Sequence, residues 1–85
     1  MLVMTNNVNE RLALDTSFAK FVTNAIARFL RHDWGELCEE DTKANDWAID
    51  NDARVLAAYG TQDDKIWIIQ EWDRSVTTVL FPSEY

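Results

Sequence analysis

Lys65-Ile66-Trp67-Ile68-Ile69-Gln70-Glu71-Trp72-Asp73-Arg74-Ser75-Val76-Thr77-Thr78-Val79-Leu80-Phe81-Pro82 is the stretch that decides the fold. Two runs rich in β-branched and aromatic residues flank the polar pair Asp73-Arg74, which is the pattern of a β-hairpin. Pro82 ends the second run because its nitrogen cannot donate to a sheet ladder. A two-residue connection at Asp73-Arg74 puts Ile66, Ile68, Gln70, Val79 and Phe81 on one face and Trp67, Ile69, Glu71, Val76 and Leu80 on the other. A three-residue connection makes the second run trade faces. In both registers each face is apolar near the Ile66/Phe81 end, so helices packed on one face leave the other needing cover. An N-terminal arm, a symmetric copy or a target protein could supply it.

Working upstream, Arg54 to Tyr59 reads as a third strand, although Leu56-Ala57-Ala58 also suits a helix. From Thr16 to about His32 the pattern is helical: Phe18, Phe21, Val22, Ala25, Ile26, Phe29 and Leu30 recur at spacings of three and four. Asp15 or Thr16 can cap its start, and Arg28 and Arg31 near its end suit the helix dipole. A second helix runs from Cys38 or Glu39 to about Asp52, with a narrow apolar side of Leu37, Ala44, Trp47, Ala48 and Ile49. Residues 1–14 read as a loosely docked N-terminal arm with a short helix around Glu10 to Leu14. The expected fold is α+β, two helices packed on a three-stranded antiparallel β-meander (ααβββ), in one small domain spanning residues 1–85.

The 85 residues leave room for one domain. An apolar fraction of 47% with ten aromatics excludes disorder as the default, because it can offset the entropy of ordering the chain. One Cys excludes an internal disulfide framework and a Cys-rich zinc site, and one His excludes most His-based metal sites, so no cofactor or metal is expected. No apolar run reaches the ~18 residues of a membrane span. Met1-Leu2-Val3-Met4-Thr5-Asn6-Asn7 lacks the basic and long apolar regions of a signal peptide. With a lone Cys38 suited to a reducing compartment, the expected setting is cytoplasmic.

The net charge of -7 is unevenly placed. Residues 1–32 hold two acids against four bases, and residues 53–85 five against three. Residues 33–52 hold eight acids (Asp33, Glu36, Glu39, Glu40, Asp41, Asp46, Asp50 and Asp52) against Lys43 alone. Such a balance argues against direct nucleic-acid binding, which needs a positive footprint. One reading of this stretch is a surface for a basic partner, built from Asp33, Trp34, Glu36, Glu39, Glu40, Asp46 and Asp50. The other is a solvated helix face with dipole-favoured acids and a Glu39–Lys43 pair.

Other constellations have plain explanations. His32 and Cys38 suggest a base and a nucleophile, but Glu36, Glu39 and Glu40 disfavour the thiolate, so a buried structural Cys38 and a capping or surface His32 are expected. Asp63-Asp64-Lys65, with Asp50 or Asp52 upstream, faintly matches the Asp…Asp-x-Lys pattern of metal-dependent nucleases, yet a chain of this charge repels such a substrate. Trp47 and Trp67 or Trp72 read as core, whereas a solvent-facing Trp34 beside carboxylates would make an interface anchor.

The segments Asp33-Trp34-Gly35-Glu36-Leu37-Cys38-Glu39-Glu40-Asp41, Ala57-Ala58-Tyr59-Gly60-Thr61, Lys65-Ile66-Trp67-Ile68-Ile69 and Asp73-Arg74-Ser75-Val76-Thr77-Thr78-Val79-Leu80-Phe81-Pro82 resemble a family of small proteins of bacterial plasmids and integrative elements. Its members are often labelled "type I restriction endonuclease subunit M" or "plasmid-related protein". A methyltransferase subunit needs a cofactor-binding α/β domain, for which 85 residues have no room. The resemblance therefore implies a mobile-element setting rather than that activity. The expectation is a non-enzymatic protein that binds a protein partner with a basic surface, such as a restriction or CRISPR nuclease of host defence. The competing expectation is a homo-oligomeric accessory or regulatory protein, dimeric through its open sheet face, whose acids serve solubility.

Overall fold

Helix α2 (Thr16–Leu30) forms where the apolar stripe requires it, burying Phe18, Val22, Ala25 and Phe29 on one side. Asp15 caps it, its carboxylate accepting from the Phe18 N–H at 3.0 Å. The computed structural model describes residues 1–61 and 64–85. Before α2 come strand β1 (Leu2–Met4) and helix α1 (Asn6–Leu14). After it come helix α3 (Glu39–Asp50), strands β2 (Val55–Tyr59), β3 (Ile66–Gln70) and β4 (Thr77–Leu80), and a 3-10 turn over Pro82–Glu84.

The class is α+β as expected, but with three helices and a four-stranded mixed sheet in the order β1-β4-β3-β2. β2, β3 and β4 form the expected antiparallel meander, and β1 adds a fourth strand parallel to β4. The difference lies in residues 1–14, which are no loose arm. Leu2, Val3 and Met4 align with Thr77, Thr78 and Val79. The Thr5 hydroxyl caps α1 by accepting from the Val8 N–H, and Val8 is fully buried in the core. Glu84 clamps this segment from the other end of the chain. Its carboxylate accepts from the Thr5 hydroxyl at 2.9 Å, the Asn7 amide at 3.0 Å and the Phe81 N–H at 2.8 Å. Burial works against the charge, but these donors hold Glu84 below the ordinary carboxylate range.

Ile68 lies opposite Val79 and Trp67 opposite Leu80, the register of a two-residue connection at Asp73-Arg74. Ile66, Ile68 and Val79 therefore join Ala57 and Tyr59 beneath all three helices. Phe81 packs there too, its ring stacked on Phe18 at 5.8 Å. On the opposite face Ala58, Ile69 and Leu80 are buried outside this core cluster. There Tyr85 folds back edge-on to Trp67, at 5.3 Å between ring centres, held by Arg54.

Arg74 ties α3 to the hairpin. Its guanidinium donates to the Ala48 carbonyl in the last turn of α3, which also accepts from the Ala53 N–H, and to the Ala53 carbonyl beyond the helix, both at 2.8 Å. Docking of the N-terminal segment has a measurable consequence. Val8→Ala should lower stability by about 2 kcal/mol, from lost transfer energy plus the cavity. That corresponds to several degrees in a thermal melt. A loosely docked arm would show no change.

Candidate functional site

The acid-rich stretch begins at the turn that ends α2. His32 takes a left-handed conformation (φ 63°), and its N–H donates to the Phe29 carbonyl while that of Asp33 donates to Arg28. The chain then runs beside β2. The Ala58 N–H donates to the Trp34 carbonyl at 3.2 Å, and the Glu36 N–H to the Ala58 carbonyl at 2.7 Å. Gly35 sits between them at φ 78°, where a Cβ would lie 2.0 Å from the Ala58 oxygen. No other residue fits there without a shift of backbone.

The same edge is closed above and below Ala58. The Glu36 carboxylate accepts from the Gly60 N–H at 3.1 Å. The Asn45 side chain on α3 donates to the Leu56 carbonyl at 2.8 Å and accepts from the Leu56 N–H at 3.3 Å. Asn45 is the buried polar residue of α3, and its amide takes the place of a neighbouring strand.

These contacts sort the seven proposed interface residues. Asp33 is held by Arg28, which donates from Nε at 2.8 Å and Nη2 at 3.2 Å, and by the Gly35 N–H. The Arg28 guanidinium, then the Gly35 N–H, keep the Asp33 carboxyl below its ordinary value of 3.8. The Asp33 carbonyl accepts from the Tyr59 hydroxyl at 2.7 Å, and burial raises that phenol's pKa. Glu36 serves the β2 edge, with Arg28 at 3.9 Å. Asp46 accepts from the Trp34 indole at 2.9 Å.

Trp34 itself is no solvent-facing anchor. It is 3% exposed, edge-on to Phe29 at 5.3 Å and stacked with His32 at 5.1 Å. Glu39, Glu40 and Asp50 stand exposed on α3, with Lys43 at 3.2 Å from Glu39. Four of the seven residues thus support the fold, and three face solvent. Trp47, expected in the core, is 61% exposed on the same helix. Spacings of three and four put Glu40, Lys43, Trp47 and Asp50 on one stripe. The signal for Trp47 was its neighbourhood: charged residues at helical spacing on both sides mark a solvent face.

Cys38 is exposed rather than buried, standing at the N-cap of α3 without a side-chain capping bond. Of the nuclease-like trio, Asp63 lies outside the described residues and Asp64 is ion-paired with Arg11. Among the described residues no group of three or more His, Cys, Asp or Glu could hold a metal ion. No helix there is long and apolar enough to cross a membrane. In comparisons with known proteins, no family model, no curated protein and no solved structure matches the chain.

Two measurements check the structural roles. Asn45→Ala leaves the Leu56 N–H and C=O unpaired, and should cost about 2–4 kcal/mol in urea unfolding. Asp33→Asn should be less stable than the parent near neutral pH. Because the folded pKa is depressed, the stabilisation is present above the unfolded value of 3.8 and lost as pH falls through the folded one. The two unfolding curves should therefore converge in acid. A gap that persists there would show that the Asp33 charge is not its source.

Proposed function

We propose that this chain is a non-enzymatic cytoplasmic protein that binds a basic surface of a protein partner through the exposed stripe of α3. The observation that carries this reading is the division among the acids. Asp33, Glu36 and Asp46 have partners inside the molecule, whereas Glu40 and Asp50 have none among the described residues and share a stripe with the exposed Trp47. An exposed Trp with the carboxylate of Asp50 one turn on and that of Glu40 further along the stripe suits an arginine or lysine of the partner, which can stack on the indole while its charge meets the acids. In the mobile-element setting that the family resemblance implies, the DNA-binding cleft of a host-defence nuclease offers such a surface.

Affinity capture from bacterial host lysate on the immobilised chain should retain a protein that elutes as salt rises, since screening weakens such contacts. The double reversal Glu40→Lys/Asp50→Lys should abolish its retention. Trp47→Ala should weaken binding by about 30-fold, the loss expected of an interface anchor worth about 2 kcal/mol. Undiminished retention by the reversed chain would overturn the proposal.

A further inference from the structure

The two edges of the sheet are finished differently, and we propose that the bare one docks a second copy of this chain, β1 pairing antiparallel with its symmetry mate. Along β2 the outward main-chain groups of Leu56, Ala58 and Gly60 are met by Asn45, by the Trp34 and Glu36 backbone, and by the Glu36 carboxylate. Along β1 the Thr77 N–H donates to the Met1 carbonyl at 2.8 Å, and the Thr5 N–H to the Val79 carbonyl at 3.1 Å. The parallel ladder thus engages residues 1, 3 and 5, and the main-chain groups of Leu2 and Met4 point away from the sheet. Among the described residues only the Asn9 amide approaches them, 3.5 Å from the Met4 carbonyl and beyond a well-made bond.

β1 also lacks the usual guards of an open edge. Leu2-Val3-Met4 contains no charge and no proline, and no Asp, Glu, Lys or Arg occurs before Glu10. Three residues supply few ladder bonds, so pairing needs apolar cover as well. Leu2 (49% exposed) and Leu30 (72% exposed) provide it, on either side of a cleft of about 220 Å3 lined also by Ile26, Phe29, Ile68 and Thr77.

Charge and topology select the occupant. Two chains of net charge -7 repel, but the acids of residues 33–52 lie along β2, with β3 and β4 between them and β1. At ~4.8 Å per strand this is about 14 Å, more than the ~8 Å screening length at physiological salt. Copies joined at β1 keep their acid-rich stretches at the far ends, with α3 free on each. Because β2 is closed, β1 finds no open partner edge except another β1, and the pairing ends at two copies across a two-fold axis. Centred on Val3, it lets Leu2 and Met4 of the second copy exchange both main-chain bonds. The two Val3 residues then face each other at a Cα separation of about 4.5 Å.

Sedimentation at about 100 µM, well above a micromolar Kd, should give twice the monomer mass of 9.9 kDa. Leu2→Lys and Leu30→Lys should each restore the monomer without loss of the helical circular-dichroism signal. In a Cys38→Ser background, Val3→Cys should form an inter-chain disulfide on oxidation, since that separation lies within disulfide reach, and Thr61→Cys should not. A monomer at this concentration, or a Val3→Cys variant that does not link, overturns the proposal. So does a dimer that both lysines leave intact, and one that resists them but is lost on Trp67→Arg assigns the contact to the outer sheet face instead.

Discussion

A strand at the edge of a sheet leaves every second N–H and C=O without a partner, and in β2 these belong to Leu56, Ala58 and, just beyond the strand, Gly60. Each unpaired group that is shut off from water costs about 1–3 kcal/mol, so their closure outweighs any single surface ion pair in the molecule. The turn after α2 and the Asn45 side chain perform that closure. Much else follows from it. Gly35 must be glycine because the chain passes against the Ala58 oxygen. Trp34 is drawn under the turn, where its indole needs an acceptor, and Asp46 on α3 supplies one. α3 is thereby fixed beside β2, which leaves its Glu40–Trp47–Asp50 stripe facing outward.

The charge of the 33–52 stretch is therefore two populations rather than one. The carboxylates of Asp33, Glu36 and Asp46 act as hydrogen-bond acceptors for Arg28, backbone N–H groups and an indole. Substituting them changes the edge of the sheet before it changes the field around the protein. Those of Glu39, Glu40 and Asp50 protrude from a helix, where among the described residues only the Glu39–Lys43 pair is internally matched. This separation gives the acid-surface reading its content, because charge and scaffold can be altered independently.

Much of the fold was legible in the chain. The apolar stripe of α2, the β-branched runs of β3 and β4, and the Asp15 cap each carry a local signal that survives in three dimensions. β1 carries none, because three residues are too few to display a period of two, and its partner lies in the last quarter of the sequence. Of α1 only the second half, around Glu10 to Leu14, was legible, because its Asn-rich first turn reads as loop, although Thr5 is a sound N-cap and Val8 the buried residue behind it. The two tryptophans of the acidic region exchange roles for a tertiary reason. Trp34 is buried because β2 requires a turn beside it, a demand invisible from spacing. Trp47 is exposed because Asn45 and Ala48 take the inner face of α3, leaving no width for a large ring. Cys38 is exposed because it falls at the N-cap of α3, ahead of the helix's inner face, and makes no side-chain capping bond there.

The parallel pairing of β1 with β4, secured by the Glu84 clamp, also bears on the order in which the protein assembles. β1 is synthesised well before β4, the strand it pairs with, because Leu2 aligns with Thr77 and both helices α1 and α2 lie between them. α1 and α2 can associate while the chain is still growing, but β1 has to wait as a short, uncharged, apolar segment until β4 is in place. Closing so long a loop is entropically costly and slow compared with forming the hairpin. Docking of β1 is thus a late step of folding, and the clamp works as a latch that is set only once Glu84 is in place.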